Sequence, residues 1–264
     1  MRYLIPTASL VLLAACGGAT TEPTPPPGFA DPDSTVTSTL SAASLFSLDL
    51  DTSTQSGTLN RSADRYSVGD IAGDINDARS EVAIDGGGRV TFDAGDNTFS
   101  VRFDATPQGD DRVIGIVGIP TAGGALPTTG SVNYTGDSNV TIQDDLIYYE
   151  LSGEAVVVAN FGTDRVTTTI DDLSGERTIG AGNASAVSNV GSIEFSDSVM
   201  TGATFTGGTV VVNSAELSNL SADAVSTLDG VVYGPNGEEI GGVFIVNDAA
   251  TSGVTIFGDF LAAD

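Results

Sequence analysis

The sequence predicts an all-β protein, an antiparallel barrel preceded by a smaller β-rich region. Three observations predict it. Gly, Thr, Ser, Val, Asp and Asn dominate the chain from about residue 41 onward. Short runs with partial apolar alternation are separated by turn residues, and helical periodicity is nearly absent.

Residues 1–15 are kept out of the fold. They read MRYLIPTASLVLLAA, one positive residue followed by an apolar run from Leu10 to Ala15, which is the pattern of a secretory signal. The run is far shorter than the ~20 residues of a membrane-spanning helix. Its ending, Leu13-Ala14-Ala15-Cys16, matches the bacterial lipobox, which implies cleavage before Cys16 and acylation of its sulfur. An ordinary signal peptide followed by an incidental cysteine is the alternative. Cys16 is the single cysteine of the chain, so no internal disulfide can form. Residues 16–40 are rich in Gly, Thr, Pro and Ser and poor in large apolar side chains. Such a stretch buries too little surface to order itself and is expected to be a tether.

From residue 41 the strands are taken in order. Candidates are 81-EVAI-84, 89-RVTF-92 and 98-TFSVRF-103, with 85-DGGG-88 and 93-DAGDN-97 as tight turns between them. They form a first β-rich unit spanning 41–125, closed by the Pro- and Gly-rich break 120-PTAGGALPTTG-130. The second unit, 126–264, offers 131-SVNYTG-136, 146-LIYYELSG-153, 154-EAVVVANF-161, 165-RVTTTI-170, 192-SIEF-195, 203-ATFTG-207, 209-TVVVN-213, 230-GVVYG-234, 241-GGVFIV-246 and 253-GVTIFGDF-260. One segment, 215-AELSNLSADAVSTL-228, could make a short helix. A sandwich or a barrel fits this spacing. Strands so rich in Val, Thr and Phe leave adhesive edges in an open sheet, and closure removes them. An integral outer-membrane barrel would need aromatic girdles, for which six Tyr, eleven Phe and no Trp are a poor supply.

Charge and composition exclude several functions. The chain has no His, Trp or Lys; nine Arg stand against 35 acidic residues, a net charge of −26, and no arginine follows Arg177. Nucleic acid and an anionic lipid surface are both repelled. The acidic surface either steers a basic partner or simply keeps the protein soluble in salt water. Without His, and with its cysteine assigned to the lipobox, the chain cannot build Ser-His-Asp or Cys-His machinery, His-rich zinc sites or thiolate clusters. A carboxylate pair could still run a hydrolase reaction, but the adjacent Glu238 and Glu239 point to opposite faces of a strand. They are expected on the solvent side of a hairpin whose turn is 234-GPNG-237. Haem would have to be held by Tyr or Met; Tyr134, Tyr148, Tyr149 and Tyr233 read as core or rim aromatics, with Tyr148 and Tyr149 on opposite faces. Calcium takes oxygen ligands alone. The acidic clusters 48-LDLDTS-53, 109-GDD-111, 144-DD-145 and 171-DD-172 lack the spacing of a calcium loop and read as solvated turns. No catalytic residue, metal or cofactor is therefore assigned.

The run 230-GVVYGPNGEEIGGVF-244 resembles the signature near the end of the transferrin-binding protein B β-barrel: glycine, two residues, an aromatic, Gly-Pro, a short turn, an acidic residue, then Gly-Gly and an apolar-aromatic strand. The ending 256-IFGDF-260 is similar to the strand that closes that barrel, and 126-LPTTGSVNYTG-136 to its first strand. The signature positions are Gly230, Tyr233, Gly234, Pro235, Glu239, Gly241, Gly242, Phe244, Phe257 and Gly258. The resemblance implies an eight-stranded barrel over 126–264, a flatter handle-like region before it, and a lipoprotein tethered through Cys16 to the outer membrane. It implies a single lobe, because the chain is far shorter than the bilobed receptors. Many members of the family reach the cell surface and bind a protein such as transferrin, complement factor H or haemoglobin; some bind haem. The expectation is a non-enzymatic binding protein for a protein ligand at the cell surface. A structural envelope lipoprotein without a specific ligand, facing the periplasm or the exterior, is the alternative.

Overall fold

The computed structural model describes residues 36–39, 46–51, 56–61, 64–68, 80–83, 88–93, 97, 99–107, 112–118, 120–144, 146–214, 224–248 and 253–264. The segment expected to be a signal peptide, Cys16 and most of the segment expected to be a tether lie outside the described residues. Every regular element among those described is a strand.

The handle comprises β1 (Val36–Thr39), β2 (Phe46–Asp51), β3 (Ser56–Arg61), β4 (Asp64–Val68), β5 (Ser80–Ala83), β6 (Gly88–Asp93), β7 (Ser100–Pro107) and β8 (Val113–Gly118). β2, β3 and β4 form a small meander, and the other five make a sheet in the order β1-β8-β7-β6-β5. β1 falls inside the stretch expected to be tether, where Val36-Thr37-Ser38-Thr39 pairs with Ile116 to Val113. β-branched residues meeting an apolar strand explain the departure.

Alternation gives the five-stranded sheet two unlike faces. Val90, Phe92, Val101, Phe103, Ala105, Val113 and Val117 lie on one face and are buried. The opposite face is charged along β6 and β7, with Arg89, Thr91, Asp93, Arg102 and Asp104. It turns apolar on β8, where Ile116 is the cross-strand partner of Arg102 and Ile114 that of Asp104. This second face meets the barrel.

The barrel strands are β9 (Ser131–Asp144), β10 (Ile147–Asn160), β11 (Arg165–Ile179), β13 (Ser192–Thr201), β14 (Thr204–Thr206), β16 (Val225–Tyr233), β17 (Glu239–Asp248) and β18 (Val254–Ala263). Each pairs antiparallel with the next, and β18 pairs back onto β9, so the expected eight-stranded barrel closes. Two short strands, β12 (Ser185–Val187) and β15 (Thr209–Asn213), extend the sheet from β11 and β13. The stretches 146–153 and 154–161, read separately in the sequence, are one continuous strand. Val225–Leu228, the end of the one segment that could have made a short helix, belongs to β16; residues 215–223 lie outside the described residues. Leu228 packs into the barrel while Val225 and Thr227 face out, a strand alternation that a helix could not provide.

Inward side chains fill the barrel, among them Tyr134, Tyr149, Leu151, Ile170, Phe195, Phe205, Phe244 and Phe260. Three of these rings lie over glycines directly across the sheet: Phe205 over Gly230, Phe260 over Gly242 and Phe244 over Gly258. A Cβ at Gly230 would stand 2.0 Å from Phe205 Cζ; at Gly242 and Gly258 the corresponding ring contacts would be 2.7 and 2.6 Å. Glycine here provides room for an aromatic ring that covers it in return.

Candidate functional site

The signature run folds as the expected hairpin, with Tyr233 opposite Glu239 and residues 234–238 as the turn. Gly234 and Gly237 take φ of 90° and 84°, a region that side chains other than glycine rarely adopt. Pro235 is exposed at the tip. Strand alternation then sorts the rest. Gly230, Val232, Ile240, Gly242 and Phe244 point into the barrel. Val231, Tyr233, Glu239, Gly241 and Val243 point out, where the handle covers them. On β18, Gly258 faces in, and Phe257, Asp259 and Leu261 lie buried on the outward row.

Glu239 is not on the solvent side. It is 3% exposed and reaches across to the start of β7. There it accepts the Phe99 N–H at 3.0 Å and the Ser100 hydroxyl at 2.5 Å. Handle packing overrides the hairpin's own polarity, because a second sheet covers the face that an isolated hairpin would present to water. Glu238 folds back on its own turn instead, accepting the Asn236 backbone N–H at 2.9 Å and its side-chain amide at 2.7 Å. The two glutamates serve different partners and do not converge.

Around Glu239 the junction is apolar. Tyr233 and Val231 pack with Ile116, Val243, Leu261 and Phe99. Gly118 admits the Tyr233 ring and Gly241 admits Ile116; a Cβ at either glycine would meet them at 2.6 and 3.1 Å. The chain between the two bodies is stitched to the same hairpin: Thr121 donates its N–H to Val232 O and its hydroxyl to Gly234 O. A second charged tie lies beside the first. Arg102 pairs through Nε with Asp259, which is 2% exposed, and donates from Nη2 to Asp137 O at 2.9 Å. Burial pushes the Asp259 carboxyl above the usual carboxylate range, with the Arg102 charge pulling the other way.

Farther toward β9 and β10 the two bodies separate into a polar cleft of about 510 Å³. Arg89, Arg102 and Arg112 line it with Asp93, Asp104 and Glu150. Arg112 grips Asp104 with Nε and Nη2, the latter at 2.7 Å. Burial works against its charge, but Asp104, Tyr148 and Glu150 more than offset that and raise its pKa.

The remaining sequence candidates are placed as follows. Tyr149 points into the barrel and Tyr148 stands half-buried outside, as their adjacency predicted. Tyr134, inside the barrel, donates its hydroxyl to Gly237 O at 2.8 Å. Of the acidic clusters, 171-DD-172 is a β-bulge: Asp172 takes φ of 54° and donates its N–H to Asp171 Oδ1. The side chains of 48–53, residues 109–111 and Asp145 lie outside the described residues. Among the described residues no three acidic side chains gather as a metal site would require. Sequence reading passed over Arg102, Asp104, Arg112 and Asp259. The signal was there for two of them: a lone charge inside an apolar strand, as in 98-TFSVRF-103 and 256-IFGDF-260, marks a buried pair.

Tyr134 and Tyr233 make the fold sensitive to alkali. Burial raises Tyr134 from the ordinary 10 to about 12, and burial with the nearby Glu239 charge raises Tyr233 further. The folded state keeps protons that the unfolded chain releases. Stability is therefore fully present below pH ~10 and is lost as pH climbs toward the folded values. Circular dichroism should show unfolding in that window, coincident with tyrosinate absorbance, and Tyr134→Phe should shift it upward. A Tyr134→Phe profile that superimposes on the parent would refute this cause.

A closed up-and-down barrel of eight strands, with a β-sheet handle bound to its wall through a glycine-rich hairpin, defines a handle-and-barrel protein. The family model described as the C-lobe and N-lobe β-barrels of transferrin-binding protein B matches residues 126–263, and the chain belongs to that family. No curated protein matches it. Among solved structures, a transferrin-binding protein B double mutant from Haemophilus parasuis Hp5 superposes with a TM-score of 0.60 at 16% identity, covering 87% of this chain and 44% of that one. Intact Ap-TbpB, with its N and C lobes, gives 0.55 at 16% identity over 87% and 45%. The isotype 1 protein from serogroup B Neisseria meningitidis gives 0.54 at 16% identity over 87% and 42%. The chain thus spans less than half the length of these relatives and corresponds to one lobe.

Proposed function

We propose that this protein is an outer-membrane lipoprotein, acylated on Cys16 and displayed at the cell surface, that binds a protein ligand without catalysing a reaction. The observation that carries the proposal is the barrel match over residues 126–263 downstream of a lipobox and a proline-rich tether. The matching family is named for binding transferrin, which favours an iron-carrying protein as the ligand here. The handle supports the same reading. Its buried ties to Glu239 and Asp259 join the handle sheet to the barrel wall, which suits a recognition surface that must not deform on contact.

The test is protease treatment of whole cells. The intact, acylated protein should be cleaved without permeabilising the outer membrane, and Cys16→Ala should abolish its membrane fractionation. Cleavage only after permeabilisation would refute surface display. Capture from the growth medium of an iron- or haem-carrying protein by the lipid-free form, and not by a scrambled-loop control, would support the receptor. Capture of nothing would favour the structural envelope lipoprotein.

A further inference from the structure

The handle–barrel cleft has the volume of a small-molecule site, which is typically about 300–1,000 Å³. Three of the chain's nine arginines line it, in a protein of net charge −26 without lysine or histidine. Two of these guanidinium groups are held in a way that leaves one edge over. Arg102 spends Nε on Asp259 and Nη2 on Asp137 O, and its Nη1 makes no hydrogen bond among the described residues. Arg112 spends Nε and Nη2 on Asp104. Its Nη1 faces Glu150 Oε1 at 3.6 Å, beyond hydrogen-bond length, on a side chain that is 59% exposed. Both forks are already immobilised by other contacts, so a ligand would not have to order them.

We propose that the cleft binds a small carboxylate-bearing ligand, whose carboxylate takes the Nη1 edge of Arg112 in place of Glu150. Arg102 adds a second positive charge, and the Thr91 and Ser152 side chains line the same cleft. Guanidinium–carboxylate pairing is the strong, directional contact available here. The field of an acidic chain disfavours any anion at long range, so the affinity rests on these local donors. Glu150 is the competitor built into the site. Removing its charge therefore strengthens binding, which a purely structural role for the Arg112–Glu150 pair would not produce.

The experiment is calorimetric titration of the full-length protein in detergent micelles with succinate, and separately with sulfate and inorganic phosphate. Succinate is expected to bind saturably. Glu150→Gln should tighten it about five-fold, the scale of one partly exposed charge pair, and Arg112→Gln should weaken it at least ~10-fold. Arg165→Gln, at an exposed arginine of β11 that lines no part of the cleft, should leave it unchanged. The circular dichroism of each variant shows whether it has kept its fold, and the Glu150→Gln arm tests the idea even if Arg112→Gln unfolds. Absence of saturable binding to both the parent and Glu150→Gln overturns the proposal. So does equal affinity in a folded Arg112→Gln variant, and so does sulfate or phosphate binding as tightly as succinate.

Discussion

Replacing Glu239 by alanine is expected to destabilise the protein by about 3 kcal/mol and to loosen the handle from the barrel. The carboxylate is buried and accepts two hydrogen bonds from the handle, from the Phe99 N–H and the Ser100 hydroxyl. A hydrogen bond to a charged group contributes about 1.5–3 kcal/mol, and a buried donor left without a partner costs about 1–3. These costs overlap, because the alanine leaves space that water can enter. Glu239→Gln keeps one carbonyl acceptor and should lose roughly half as much. Urea denaturation measures both values. Limited proteolysis should show new cuts between residues 107 and 126 in Glu239→Ala before the barrel itself is cut. A change below ~1 kcal/mol in Glu239→Ala, with an unchanged digestion pattern, would mean that apolar packing of Tyr233, Ile116 and Leu261 docks the handle alone.

That expectation could not be drawn from the hairpin sequence, and the reason is physical. Local rules give the turn, the register and the two faces of 230-GVVYGPNGEEIGGVF-244, since glycine, proline and alternation act over a few residues. Whether the outward face meets water depends on a sheet more than a hundred residues earlier in the chain, and Glu239 looks like any surface acid until that sheet is placed. The same limit applies to β8. The run 113-VIGIVG-118 is buried on both faces and has no alternation to announce it. It was not among the strands read from the sequence, and nothing local announces its role as the handle's docking strand. β1 was missed for the opposite reason: four β-branched and small residues at the end of a proline-rich stretch acquire strand structure only by pairing with β8. The barrel was more legible because its constraints are local and repeated. Val-rich runs bounded by glycines recur along β9 to β18, and closure follows once edges are counted as unfavourable. The charged cleft was harder to read, because Arg102 on β7 and Arg112 just before β8 share it with Glu150 of β10 only once the barrel stands beside the handle, and Arg112 and Glu150 each look solvated alone.

The glycines of the signature carry the second large effect. Gly230→Ala should destabilise the barrel by about 3 kcal/mol, at the upper end of what overpacking a core ordinarily costs. The added Cβ would lie 2.0–2.6 Å from three atoms of the Phe205 ring, and that ring sits in a filled interior with Phe260 6.4 Å away. It therefore cannot step aside without displacing a second ring. Backbone strain plays no part, since Gly230 is absent from the positive-φ glycines; in an open strand alanine would instead gain ~0.5–1 kcal/mol over glycine. The sign of the effect thus distinguishes close packing from chain flexibility. Gly123, with open space around its Cβ position, is the control and should tolerate alanine. The decisive measurement is a double-mutant cycle. Phe205→Leu alone should destabilise by leaving space over Gly230, whereas Phe205→Leu combined with Gly230→Ala should recover much of the loss, because the smaller side chain admits the new methyl. Such coupling between directly packed residues runs to about 0.5–3 kcal/mol. Additive losses in the cycle would mean that glycine is needed at position 230 for something other than the ring that covers it.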